Sequence, residues 1–67
     1  MMKVTVNGKS TDIESGTSIS ALINTLKLES SRCVVELNGG IIKKDLFDEI
    51  CLSDGDRIEI FSFVGGG

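Results

Sequence analysis

Few residues in this chain of 67 could carry chemistry: two cysteines, no histidine, scattered carboxylates, one Gly-Lys-Ser string and a terminal Gly65-Gly66-Gly67. Cys33 and Cys51 form no CxxC spacing, and without histidine no zinc-ligand pattern arises. A nucleophilic cysteine needs a histidine or a cationic neighbourhood to lower its pKa, and the residues around Cys51 supply neither reliably. The pair reads as free thiols of a reducing compartment. Gly8-Lys9-Ser10 matches the end of a phosphate-binding loop. That loop requires a glycine five residues earlier, where Lys3 stands, so the reading fails. Asp54 and Asp56 lack the further oxygen ligands, ending in a glutamate, that a calcium loop needs.

The glycine tail is different. It follows the most apolar stretch of the chain, Arg57 to Val64. Residues without a β-carbon are unhindered and costly to order, and they add nothing to packing. They suit a thin, flexible strand that presents a free carboxylate, and three extended residues reach about 10 Å.

Bulk properties limit what can position that strand. The length allows one domain, 1–67 with its tail at 65–67, and a small core. The formal charge of -3, from seven basic and ten acidic residues, argues against nucleic acid, which needs a basic patch. Lys43-Lys44 is the one basic cluster and reads as a solvated turn. No N-terminal run is apolar enough for a signal peptide or a membrane span, so a cytoplasmic location is expected and no membrane partner.

Hydrophobic periodicity supplies the elements. Lys3 to Val6 alternates as a half-buried strand. Asn7-Gly8 suits a tight hairpin turn, and Ser10 to Ile13 returns with Thr11 and Ile13 facing the core. Thr17 or Ser18 is a natural helix N-cap. Ile19, Leu22, Ile23 and Leu26 then make one apolar stripe of a helix of about three turns. Leu28 to Arg32 connects to a strand over Cys33 to Leu37, with Cys33, Val35 and Leu37 in phase. Asn38-Gly39-Gly40 turns the chain into a brief strand at Ile41-Ile42. Lys43 to Leu52 reads as a short helical turn or an irregular crossing segment, and Ser53 to Asp56 as a turn. The last strand, Arg57 to Val64, places Ile58 and Ile60 on one face and Glu59, Phe61 and Phe63 on the other. One helix covers one face of a sheet, so Phe61 and Phe63 are expected to form an apolar patch on the uncovered side, of the kind that marks a partner site. The alternative is a bulge or twist that turns one ring into the core.

The expected architecture is α+β: a mixed sheet of four to five strands packed on one helix. In order, Val6-Asn7-Gly8, Gly16-Thr17-Ser18-Ile19, Leu22, Val35-Glu36-Leu37-Asn38-Gly39, Asp54-Gly55-Asp56, Ile58-Glu59-Ile60-Phe61 and Gly66-Gly67 resemble the ThiS family. Its members are ubiquitin-like β-grasp sulfur carriers of thiamine thiazole biosynthesis. The resemblance covers essentially the whole length. Gly65 departs from it, since the family often has another small residue there.

The resemblance implies a carrier and not an enzyme. An adenylyltransferase similar to ubiquitin-activating enzymes (ThiF-like) would use ATP and magnesium to adenylate the Gly67 carboxylate. A sulfur donor such as a cysteine desulfurase would supply the sulfur that replaces AMP. The resulting thiocarboxylate would give its sulfur to a thiazole synthase (ThiG-like). Gly67 is then the modified residue, Gly65 and Gly66 thread a narrow channel, and Phe61 and Phe63 dock on the enzymes. The chain itself would bind no cofactor and no metal. Alternatives are a MoaD-like carrier for molybdopterin synthesis, whose chains usually run longer, and carriers for cysteine synthesis or tRNA thiolation. A ubiquitin-like protein modifier and a plain β-grasp interaction module also remain open.

Overall fold

The computed structural model describes residues 1–63. The chain runs β1 (Met2–Val6), β2 (Lys9–Ile13), α1 (Ile19–Thr25), β3 (Cys33–Leu37), β4 (Gly40–Ile42) and β5 (Arg57–Ser62). Two 3-10 turns, Ser30–Arg32 and Lys44–Leu46, interrupt the connections. The strands form one mixed sheet in the order β2-β1-β5-β3-β4. Only β1 and β5 run parallel; β1–β2, β3–β4 and β3–β5 are antiparallel. The α+β expectation of four to five strands on one helix is met, with five.

Two Asn-Gly turns make the two hairpins. Asn7 and Gly8 have φ 49° and 84°, and Asn38 and Gly39 have φ 51° and 88°. These positive angles are what a two-residue hairpin loop requires, and asparagine and glycine tolerate them best. Leu37 pairs with Gly40, so Gly40 belongs to β4 and the second turn is Asn38-Gly39 alone.

The helix packs its apolar stripe on one sheet face. Ile19, Leu22 and Ile23 are buried among Val4, Val35, Ile58 and Ile60. Ser18, one of the two expected caps, accepts from the Ala21 amide through Oγ at 3.0 Å. The amides of Ile19 and Ser20 donate to the carbonyls of Ile50 and Phe47, both at 3.0 Å. The irregular segment after β4 thus closes the start of the helix and inserts Phe47 and Leu52 into the core. These bonds satisfy amides that a helix cannot pair internally.

The helix is shorter than its pattern predicts. It spans seven residues, and Leu26 is its C-cap, 40% exposed, so this residue leaves the apolar stripe. Lys27 adopts φ 61°. Its amide donates to Asn24 at 2.9 Å, and that of Leu28 to Ile23 at 3.1 Å. This pair of reversed bonds is the Schellman arrangement, which ends a helix through a left-handed residue. Lysine occupies the place that glycine usually fills, so no residue type announced the stop.

Candidate functional site: the outer face and exit of the last strand

β5 is the middle strand of the sheet, and the tail follows it directly. Its pairing partners therefore decide how firmly the base of the tail is held. β3 pairs with it over five residues, from Leu37↔Ile58 to Cys33↔Ser62. Beyond the strand, the Phe63 amide donates to the Arg32 carbonyl at 2.9 Å. On the other side, β1 pairs only through Thr5↔Arg57 and Val6↔Ile58 before turning away. The side chain of Asn7 continues this contact, with Oδ1 accepting from the Ile60 amide at 2.8 Å and Nδ2 donating to the Ile60 carbonyl at 3.3 Å.

The division of β5 faces matches its alternation. Ile58 and Ile60 point into the core, and Phe61 and Phe63 are 48% and 62% exposed. Neither ring turns inward, so the bulge alternative does not occur. The strand stops at Ser62, before the expected Val64; Val64 and the tail positions Gly65, Gly66 and Gly67 lie outside the described residues.

On the outer face Phe61 stands opposite Val34, and Glu59 opposite Glu36. Glu36 in turn faces Ile41, which is 64% exposed. An apolar strip thus borders a carboxylate pair. Beside it lies an open depression of ≈ 530 Å³ lined by Glu36, Asn38, Gly39, Gly55, Arg57 and Glu59. Sequence reasoning placed Glu59 on this face but not its apposition to Glu36, which depends on the β3–β5 register.

The other residues with chemical potential are dispersed. Cys33 is fully buried, and its Sγ–H donates to the Glu29 carbonyl at 3.1 Å. Cys51 is free and exposed, next to the start of the helix, where it bridges Ser18. Among the described residues no three histidine, cysteine, aspartate or glutamate side chains come together as a metal site. No helix among them is long and apolar enough to cross a membrane.

Comparison with known proteins shows what this face and tail resemble. The model of the ThiS family matches residues 4–67. Sulfur carrier protein ThiS of Bacillus subtilis is 41% identical over 63 residues, covering 92% of this chain and 96% of that one. The crystal structure of a thiamine biosynthesis protein (ThiS) from Geobacter metallireducens superposes with a TM-score of 0.82 at 35% identity, covering 98% of this chain and all of that one. Thiazole synthase of Paramagnetospirillum magneticum is 33% identical over 66 residues, and there the match spans 98% of this chain but only 20% of that protein. The chain thus spans about a fifth of the length of the thiazole synthases it matches.

Proposed function

The chain belongs to the ThiS family of ubiquitin-like β-grasp proteins, and we propose from this that it is a sulfur carrier of thiamine biosynthesis whose reacting group is the Gly67 carboxylate. The observation that carries the reading is that the family match runs through the tail to Gly67. The Bacillus relative, a named sulfur carrier, covers nearly the whole chain and supports it.

The chemistry follows from the carboxylate. As an anion it is a poor acyl electrophile at neutral pH. An adenylating partner acts on it with ATP and magnesium: a carboxylate oxygen attacks the α-phosphorus, and pyrophosphate leaves. The terminal sulfur of a donor persulfide, as a cysteine desulfurase carries, attacks the acyl-adenylate and expels AMP, which leaves an acyl disulfide. A thiol then attacks the donor-side sulfur of that disulfide, forming a new disulfide on the donor and releasing the thiocarboxylate, nucleophilic at sulfur. The chain contributes no acid, base or metal ligand of its own. It presents the tail, with Gly65 and Gly66 free of side chains that would clash in a narrow channel, and it docks through the outer face around Phe61 and Phe63.

The recipient of the sulfur is a thiazole synthase. Two thiazole synthases each contain a stretch similar to nearly all of this chain, which supports a working association between the two activities.

The test is a mass measurement. Incubation with a ThiF-like adenylating enzyme, ATP, magnesium and a sulfur donor should add about 16 Da to the full chain as one oxygen becomes sulfur. A chain lacking Gly66-Gly67 should gain nothing while melting at the same temperature. An unchanged mass for the full chain, under conditions where another ThiS protein reacts, overturns the reading; recovery of isopeptide conjugates instead points to a protein modifier.

A further inference from the structure

We propose that Asn38 is a site of spontaneous covalent modification in the folded chain, deamidation through a cyclic imide with Gly39, and that the identical dipeptide Asn7-Gly8 is shielded by its hold on β5. The proposal stands apart from the sulfur-carrier reading and does not depend on it.

The chemistry belongs to the asparagine–glycine pair. The backbone nitrogen of the glycine attacks Cγ of the asparagine, a new C–N bond closes the ring, and Nδ2 leaves as ammonia with the amide proton. Glycine favours this step because it places no β-carbon in the path of the ring. Water then opens the imide. Cleavage between the nitrogen and Cγ gives aspartate. Cleavage at the main-chain carbonyl gives isoaspartate, in which the chain runs through the side-chain carbon. In sum one water is taken up, one ammonia is released and one carboxylate is gained.

By sequence the two pairs are equivalent. Both asparagines adopt nearly the same backbone, φ 49° and 51°, and among the described residues neither glycine amide donates to another backbone group. What differs is the grip on the carboxamide, which must turn toward the glycine amide before the ring can close. At Asn7 both side-chain atoms bind the backbone of Ile60 in mid-strand. Oδ1 accepts at 2.8 Å and Nδ2 donates at 3.3 Å, both in a part-buried position. Release would leave the amide of Ile60, a residue only 5% exposed, without its partner, which costs more than the bond itself.

At Asn38 both bonds are exposed. Oδ1 accepts from the Arg57 amide, at the first residue of β5, at 2.9 Å, and Nδ2 donates to Asp56 Oδ1 at 3.1 Å. Water replaces such bonds at little cost, so this carboxamide comes free without opening the strand.

The product bears on the fold. A carboxylate at position 38 would face that of Asp56 across the 3.1 Å that Nδ2 now bridges, beside a depression already lined by Glu36 and Glu59. Like charges at that spacing repel. The reaction thus adds negative charge to a chain of formal charge -3 and loosens the start of β5.

The experiment ages the purified full chain in mildly alkaline buffer, folded and in urea. Peptide mapping follows each site through a gain of about 1 Da per event. Each folded rate is read relative to the rate of the same site in urea, which cancels the effect of flanking sequence. Folding should slow Asn7 about tenfold more than Asn38. Asp56→Ala, shown to be folded by its melting transition, should speed Asn38 several-fold and leave Asn7 unchanged, because it removes the acceptor of Nδ2. Equal protection of the two sites overturns the proposal, and so does stronger protection of Asn38. Survival of Asn38 in the folded chain, while the unfolded chain converts, overturns it too. So does an Asp56→Ala chain in which both sites accelerate together, since global unfolding and not the local hold would then set the rate.

Discussion

Asn7 and Asn38 hold β5 from its two sides by the same exchange of atoms. Each opens a two-residue turn with positive φ, and each still donates its own amide to β5, to Ile58 at 3.0 Å and Arg57 at 2.7 Å. In a regular ladder the carbonyl of the same residue would accept the returning bond, but the turn swings it away. The side-chain carbonyl accepts instead, from the Ile60 amide at 2.8 Å for Asn7 and from the Arg57 amide at 2.9 Å for Asn38. The amide nitrogens complete the arrangement, donating to the Ile60 carbonyl and to Asp56 Oδ1. Asparagine is thus chosen twice over, for the left-handed backbone and for a side chain that replaces a peptide group.

The Asn7 substitution to glycine separates these roles. Glycine keeps the turn and loses both bonds to Ile60, so Asn7→Gly should cost about 1–2 kcal/mol in urea denaturation. Hydrogen exchange should accelerate most at the Ile60 amide. Equal stability of variant and wild type would show that the side chain does not hold the strand.

Lys27 gives a prediction of opposite sign. Its φ of 61° strains any residue with a β-carbon. Lys27→Gly should raise stability by about 0.5–1 kcal/mol, read as a higher thermal midpoint with the fold unchanged. A loss of stability would mean that the unfolded-state freedom of glycine outweighs the relieved strain.

The core should respond much more strongly than the outer face. Ile23 is fully buried, so Ile23→Ala should cost about 3 kcal/mol or more, a large share of the stability of so small a domain. Phe61→Ala, at a half-exposed position, should cost under about 1 kcal/mol while weakening docking to the adenylating enzyme several-fold. Comparable losses of stability at the two positions would contradict the assignment of Phe61 to a docking face.

The thiols should separate by burial. A thiol reagent should label the native chain once, at Cys51, and twice after denaturation, when Cys33 becomes accessible. Rapid labelling of two thiols in the native chain would show that the Cys33 strand opens easily.

Much of this was legible in the sequence because it depends on local patterning. The two Asn-Gly turns, the stripe of Ile19, Leu22 and Ile23, and the two faces of β5 all follow from periods of two and 3.6 and from turn chemistry. Leu26 was misplaced because the helix stop rests on the backbone of Lys27, a residue whose type does not signal it. The opposition of Glu36 and Glu59 and the clasp of Asn7 on Ile60 span 23 and 53 residues. Strand register is set by the assembled sheet, so no local window carried either. Glycine tail and family motifs made the candidate reacting group nameable from Gly67 alone; what the fold adds is the outer face of the strand that precedes the tail in sequence.

The sheet order has a bearing on how the molecule comes into being. The hairpins β1–β2 and β3–β4 make no ladder with each other; each joins the sheet only through β5. Among the described strands the one that links them is synthesised after the other four, and a hairpin alone is marginal in water. Until Arg57–Ser62 has left the ribosome, the two hairpins lack the strand that lies between them, and the core lacks Ile58 and Ile60. The five-stranded sheet can therefore close only after synthesis of the segment that precedes the tail.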